Sequence, residues 1–188
     1  MLTPPLTPPH GSDWLAWTPL VAAVVGEVSR AFFQWLTGHT GPRRLVFHPT
    51  LPVAYVVNEQ GSSVTAYNLE GKVGTLTPRQ ALPTLPKDFN GTNACADVEV
   101  RPSGRFVHVS HRGHDSVVAF SVDAKTGRLS SHGQVPTERT PREFTADPAG
   151  HFIHAAGESS GRLAAYRIDQ QTGQLKRIAT YEVGRQAW

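Results

Sequence analysis

The sequence lacks most of the residues that mark metal and redox sites. Its single cysteine, Cys95, has no partner for an intrachain disulfide, and its nine histidines show no HExxH motif or other metal-ligand spacing. No glycine-rich loop of the Walker or Rossmann form is present. We therefore expect no metal, no cofactor, a reducing and hence cytoplasmic location, and a buried structural role for Cys95.

Charge is also scarce, and neither sign dominates. Lys and Arg total 18, Asp and Glu total 15, and the formal net charge is +3. Proteins that bind nucleic acid usually cluster a basic excess on one face, so nucleic acid is not an expected partner. Charged residues make up only 18% of the chain and aromatic residues 9%, a composition that favours a folded domain over disorder.

The first forty residues differ from the rest of the chain. Residues 1–12 contain four prolines and are predicted to be extended, whereas residues 19–36 predict one short helix. Glu27 and Arg30 lie in the middle of that stretch, so we expect it to pack on the domain or a partner and not to span a membrane. We assign residues 1–40 to a Pro-rich segment and helix outside the repeats.

The remaining sequence repeats itself three times, in register with Pro49, Pro102 and Pro148, which are separated by 53 and 46 residues. Each repeat reads as four short strands, and the first strand of each is predicted at residues 45–47, 98–100 and 144–146. Four antiparallel strands at this spacing are typical of propeller blades. We therefore predict an all-β fold, a partial β-propeller over residues 41–188, with blades at about 41–86, 93–136 and 139–183.

Three blades are fewer than the four to eight with which propellers usually close, and they leave an exposed edge at each end. We expect either self-association through these blade edges or a chain that is the C-terminal part of a longer ancestral protein. Of the two we favour the second.

Charged residues recur at equivalent positions of the repeats, near one mouth of the expected central channel. The first strand of a blade begins, and the second ends, on the same side of the propeller. Eight of the nine positions expected there are charged: Arg43, Arg44, Glu59, Asp97, Arg112, Arg142, Glu143 and Glu158. They could form ion pairs between blades or a polar pocket for an anion, and both interpretations remain open.

In the pocket interpretation, arginines bind the carboxylate or phosphate oxygens of a small substrate. The substrate-binding candidates are Arg43, Arg44, Asp97 and Arg142. The catalytic candidates are Glu59, His114 and Arg112. Glu59 or Asp97 would be the base for a water molecule, with His114 as a second candidate that exchanges protons near neutral pH.

The run from His111 to Ser116 contains His, Asp and Ser, the residue types of a catalytic triad. Neighbouring side chains in a strand or turn point in different directions, so we do not expect a triad here. His108 and His154 occupy equivalent strand positions, which favours a structural role for both.

Five stretches together resemble the β-propeller lactonase family, which includes 6-phosphogluconolactonase and the fungal carboxy-muconate cyclase. They are GPRRLVFHP (41–49), AYVVNE (54–59), NACADVEVRPSGRF (93–106), HRGHDSVVAF (111–120) and TPREFTADPAGHF (140–152). The resemblance implies the last three blades of a seven-bladed protein. It also implies metal-free and cofactor-free hydrolysis of 6-phosphogluconolactone to 6-phosphogluconate in the pentose phosphate pathway.

The positions that match the family's motifs are Arg43, Glu59, Arg112, His114 and Arg142. Where the family pattern has His after Gly-Pro-Arg, this sequence has Arg44, which cannot act as a base. A site assembled from seven blades would also be incomplete in three, so the chain could be inactive because it is truncated. The alternatives to an anionic sugar lactone hydrolase are a non-catalytic interaction module and a muconate cyclase-like enzyme.

Overall fold

The computed structural model describes residues 41–184, which form twelve strands in three four-stranded antiparallel sheets. Blade 1 contains β1 (Pro42–Phe47), β2 (Val53–Asn58), β3 (Ser63–Glu70) and β4 (Thr75–Pro83). Blade 2 contains β5 (Ala94–Val100), β6 (Phe106–Arg112), β7 (Ser116–Val122) and β8 (Leu129–Pro136). Blade 3 contains β9 (Pro141–Ala146), β10 (Phe152–Gly157), β11 (Arg162–Ile168) and β12 (Leu175–Glu182).

The all-β prediction of three four-stranded blades is confirmed. The helix predicted for residues 19–36 lies outside the described residues, as does the rest of the segment 1–40. Within residues 41–184 there is no helix long and apolar enough to cross a membrane.

The blades are held together by apolar side chains between neighbouring sheets. Tyr55 and Val57 of blade 1 belong to one buried cluster with Val107 and Phe120 of blade 2. A second cluster joins Val117 of blade 2 to residues of blade 3, including Phe144, Ile153 and Tyr166. Each such side chain contributes about 1.5–3 kcal/mol to stability when fully buried. The stacked apolar faces therefore fix the relative positions of the charged residues at the mouth.

A repeated polar contact sets the spacing between blades. The hydroxyl of Tyr55 donates a hydrogen bond to the carbonyl of Gly127 in the next blade, at 2.9 Å. The equivalent residue of blade 2, His108, donates from Nε2 to the carbonyl of Gly173, at 2.7 Å. His108 is fully buried, which agrees with the structural role predicted for it. The third equivalent, His154, lies half-buried on blade 3.

The first strand of every blade is longer than predicted. Strands β1, β5 and β9 begin three or four residues before the three-residue runs predicted from the sequence. Their pairing with the second strand shifts register near the mouth, between Pro42 and Arg44, between Cys95 and Val98, and between Ala156 and Gly157. Such irregularities re-aim side chains, so Arg43, Arg44 and Asp97 project from distorted strands. Glu59 and Glu158 lie in the turns that follow β2 and β10.

Candidate functional site

Glu59 joins two blades at the mouth. Its Oε2 atom lies 3.4 Å from Nη1 of Arg43, which is on β1 of the same blade. Its Oε1 atom contacts Nη2 of Arg112, at the end of β6 in blade 2. Arg43 is held in place because its Nε donates to the carbonyl of Ala96, at 2.7 Å. One carboxylate thus lies between two arginines from different blades.

The electrostatics of this cluster keep Glu59 ionised. Burial alone would raise the pKa of Glu59, but the hydrogen bond from Arg112 and the charges of Arg112 and Arg43 outweigh it and hold the pKa below its usual range. The side chain of Glu59 is 32% exposed and that of Arg112 17% exposed. The buried Nε of Arg112 has no hydrogen-bond partner among residues 41–184. Two arginines and one carboxylate leave a local positive charge and at least one unused donor.

Blade 3 repeats half of this arrangement. Nη1 of Arg142 lies 3.3 Å from Oε1 of Glu158, the counterpart of the Arg43–Glu59 pair. In blade 2 the two equivalent positions hold Ala96 and Arg112. Blade 2 therefore supplies an arginine without a carboxylate of its own, and Arg112 uses Glu59 of blade 1 instead.

Arg44 and Asp97 form a second ion pair across the blades, with Nε and Oδ1 separated by 3.0 Å. Asp97 is almost fully buried and also accepts hydrogen bonds from the backbone N–H groups of Val98 and Phe144. Burial raises the pKa of Asp97, although Arg44 and the two N–H groups oppose that rise. Both oxygens of Asp97 are already bonded, so Asp97 reaches a ligand only through Arg44.

An open cavity of about 390 Å³ lies beside Arg44. Its lining includes Asp97, Glu99 and Glu143 but neither Glu59 nor Arg112. One arginine against three carboxylates disfavours an anionic ligand, whereas the Glu59 cluster has the opposite balance. An anion is therefore better accommodated at the Glu59 cluster than in the cavity.

The hairpin between β6 and β7 brings two histidines onto one serine. Nδ1 of His111 lies 3.0 Å from Oγ of Ser116, and Nδ1 of His114 lies 2.7 Å from the same oxygen. The expectation that neighbouring side chains diverge is wrong for these three residues, because a turn with Asp115 in the left-handed region folds the hairpin back. The carboxylate of Asp115 bonds the N–H groups of Gly113 and Thr140, so no Ser-His-Asp triad forms.

His114 is positioned by the segment between blades 1 and 2. Its backbone N–H donates to Oδ1 of Asn93, at 3.2 Å, and its ring meets the edge of the Phe89 ring with centroids 4.8 Å apart. Neither Asn93 nor Phe89 was among the predicted site residues. The signal for them is the seven extra residues that separate the first two repeats.

Cys95 is buried inside blade 2, as predicted. Burial raises its pKa to about 12. Its Sγ lies 3.3 Å from Oγ1 of Thr84. A thiol with this pKa stays protonated at neutral pH and is a packing residue, not a nucleophile.

A family model described as a seven-bladed β-propeller lactonase matches residues 24–188. The match begins inside the segment that we assign outside the repeats. Among curated proteins, the 6-phosphogluconolactonase of Pectobacterium carotovorum is 41% identical over 107 residues, 57% of this chain and 32% of that protein. The 6-phosphogluconolactonase of Cronobacter sakazakii is 38% identical over 107 residues, again 57% of this chain and 32% of that protein.

Comparison with solved structures leads to the same family as the family model and the curated relatives. The periplasmic gluconolactonase PpgL of Pseudomonas aeruginosa superposes with a TM-score of 0.73 and 32% identity, over 78% of this chain and 41% of that one. A protein from Lactobacillus plantarum superposes with a TM-score of 0.74 and 28% identity, over 78% and 43% of the two chains. The chain thus spans about a third of the length of the curated relatives it matches. It belongs to the seven-bladed β-propeller lactonase family.

Proposed function

We propose that this chain carries a lactone hydrolase site for 6-phosphogluconolactone, giving 6-phosphogluconate in the pentose phosphate pathway. The observation that supports the proposal best is Glu59, an ionised carboxylate between Arg43 and Arg112 at the mouth of the blades. The curated relatives named 6-phosphogluconolactonase support the substrate class. The chain spans about a third of the length of those relatives, so the test of the proposal is the activity of this chain itself.

In this mechanism Glu59 takes a proton from a water molecule, whose oxygen bonds to the lactone carbonyl carbon. The negative charge that develops on the carbonyl oxygen is stabilised by the guanidinium charge of Arg112, whose side chain is 17% exposed. The ring C–O bond then breaks, and the ring oxygen recovers the proton from Glu59 as a hydroxyl group. Atoms and charges balance without metal or cofactor.

The other predicted residues have supporting roles in the proposal. Arg43 and Arg142 contact the phosphate of the substrate, since both lie on first strands at the mouth. Arg44 and Asp97 act as a pair, because Asp97 holds the guanidinium that faces the mouth. We place the protein in the cytoplasm, on the ground that the only cysteine cannot form an intrachain disulfide.

The test compares two equivalent carboxylates. Glu59→Gln should lower the rate of lactone hydrolysis above the spontaneous reaction by about 10²–10⁴-fold, because it removes a general base. Glu158→Gln is the matched control, since Glu158 has the same pairing with an arginine and a similar exposure. Equal losses in the two variants, or none in Glu59→Gln, would overturn the assignment. An unsaturated dicarboxylate lactone in the same assay separates a cyclase-like activity from phosphosugar hydrolysis.

A non-catalytic module that self-associates is the second candidate. It is favoured by apolar side chains left on the outer blades: Leu45 and Phe47 of blade 1 are 39% and 56% exposed, and Tyr181 of blade 3 is 52% exposed. His154 supports it too. Its equivalents Tyr55 and His108 each donate a hydrogen bond to a glycine carbonyl of the following blade, whereas His154 has no such partner among the described residues. A chain with no hydrolysis above the spontaneous rate, and with a concentration-dependent mass, would favour this function.

A further inference from the structure

Two buried groups of blade 2 connect to His114 through one hydroxyl. His111 and Ser116 are almost fully buried, and Oγ of Ser116 lies within hydrogen-bond distance of Nδ1 of both histidines. A serine hydroxyl has one hydrogen to donate and two lone pairs to accept with. The three residues therefore form a directional chain, and its direction decides which nitrogen of His114 carries the proton.

The surroundings of His111 set that direction. Burial lowers the pKa of His111 to about 3, so its ring is neutral and carries a single N–H. The Nε2 atom of His111 is buried without a hydrogen-bond partner among the described residues. A proton on Nε2 would leave a buried N–H without an acceptor, whereas a proton on Nδ1 is bonded to Ser116. The proton of His111 therefore belongs on Nδ1.

The rest of the chain of hydrogen bonds follows. Among the described residues, Oγ of Ser116 has hydrogen-bond partners only in these two nitrogens, and a protonated Nδ1 of His111 cannot accept. Ser116 therefore donates its hydrogen to Nδ1 of His114. With Nδ1 accepting, the ring proton of His114 lies on Nε2, the nitrogen without a hydrogen bond to a described residue.

Blade 1 provides an internal comparison. Asn58 and Ser63 occupy the positions equivalent to His111 and Ser116, and Nδ2 of Asn58 donates to Oγ of Ser63, at 3.0 Å. An amide nitrogen can only donate, so the same direction holds in a blade where no imidazole is involved. The position equivalent to His114 is Gly61. The donor–serine pair thus occurs in blades 1 and 2, whereas blade 3 has Gly157 and Arg162 at these positions. Blade 2 adds a histidine beyond the pair, two residues after Arg112.

We propose that His111 and Ser116 are positioning residues that fix the ring proton of His114 on Nε2, so that His114 meets the substrate as a hydrogen-bond donor and not as a base. This inference rests on the proposed function for its chemical meaning. The Nε2–H group joins Arg112 in stabilising the oxygen of the lactone carbonyl as it becomes negative. Glu59 is then left as the group that takes the proton from water.

Nitrogen-15 NMR of the histidine rings tests the hydrogen-bond chain without any activity. In the chain of residues 1–188 near neutral pH, we expect His111 to be protonated on Nδ1 and His114 on Nε2. His111→Asn, which recreates the Asn58–Ser63 pair, should leave the ring signals of His114 unchanged and also assigns those of His111. A proton on Nε2 of His111, or on Nδ1 of His114, would overturn the proposal even if the chain hydrolyses lactones.

Two substitutions of His114 test its role as a donor. His114→Gln keeps an N–H group near the position of Nε2, whereas the shorter His114→Asn keeps an acceptor for Ser116 near the position of Nδ1 and has no group that reaches the position of Nε2. We expect kcat to stay within about tenfold in His114→Gln and to fall by about 10²–10³-fold in His114→Asn, as for the loss of one oxyanion donor. Equal losses in both variants would overturn the donor role of His114. A chain without activity would remove the proposed function but leave the NMR result to decide the hydrogen-bond chain.

Discussion

Arg44 of β1 and Asp97 of β5 form an ion pair in which one partner is half exposed and the other almost fully buried. Asp97 also accepts a hydrogen bond from the backbone of Phe144 on β9, and Arg44 lies 3.8 Å from Glu143 on the same strand. One pair therefore connects the first strands of all three blades. Its buried carboxylate makes this connection sensitive to the loss of either charge.

Replacing Arg44 with Met should destabilise the protein by about 1–3 kcal/mol at neutral pH, because it leaves a buried carboxylate without its cation. Burial already raises the pKa of Asp97, and loss of Arg44 raises it further. The penalty should therefore shrink as the pH falls and Asp97 takes up a proton. Urea unfolding at several pH values measures this, and the double variant Arg44→Met/Asp97→Asn should recover part of the loss. A penalty that does not depend on pH would contradict it.

Gly173 should tolerate alanine less well than Gly74, although both glycines have φ in the left-handed region, at +74° and +72°. A Cβ on Gly173 would meet Cδ1 of Phe106 in the neighbouring blade at 2.5 Å, whereas nothing lies within 4 Å of one on Gly74. We expect Gly74→Ala to cost about 1–2 kcal/mol for its backbone alone. Gly173→Ala should cost about 1–3 kcal/mol more, because the blades must move apart. Equal costs in denaturant unfolding would show that the contact between blades contributes little.

Stability should fall as the solution is acidified below neutral pH. His108 and His111 have pKa values of about 3 in the folded chain because burial disfavours their charged forms, against an ordinary value of 6.5. Between these values the unfolded chain binds protons that the folded chain excludes. Each histidine therefore lowers the free energy of unfolding by up to about 1.4 kcal/mol per pH unit in that window.

The variant His111→Asn separates the contribution of His111 to this pH dependence from that of His108. Asparagine keeps the hydrogen bond to Ser116 and does not titrate, so the variant should lose less stability than the parent chain between about pH 6.5 and 5. Parallel urea titrations of the two proteins provide the comparison. Identical pH dependences would mean that His111 does not contribute.

The second candidate function, a module that self-associates, predicts a mass that rises with concentration. Phe47→Lys and Tyr181→Lys place charges on the exposed apolar positions of the two outer blades and should shift the equilibrium toward the monomer. Light scattering or sedimentation measures the mass of each variant. Val73→Lys, at a turn where the side chain is already 69% exposed, serves as a control for added charge alone. An unchanged mass for both test variants would argue against blade-edge contacts.

The repeats could be read from the sequence because each blade makes mostly local antiparallel pairs. The recurrence of the repeat around Pro49, Pro102 and Pro148 was enough to predict four strands in each of three blades. The starts of the first strands were predicted too late, since the register shifts at Arg44 and Asp97 depend on partners in other blades. The repeat predicted that charged residues group at one mouth of the channel, but it did not predict which arginine pairs with which carboxylate.

The repeated pattern of the chain is sufficient to predict three blades and a group of arginines and carboxylates at the mouth. It does not predict that Arg112 pairs with Glu59 of another blade, that Asp97 is buried behind Arg44, or that His111 and His114 both contact Ser116. Strand patterns can be read from the sequence because they follow the local period of the chain. Ion pairs and hydrogen bonds at the mouth depend instead on how neighbouring sheets stack and on a hairpin turn that a linear pattern does not encode.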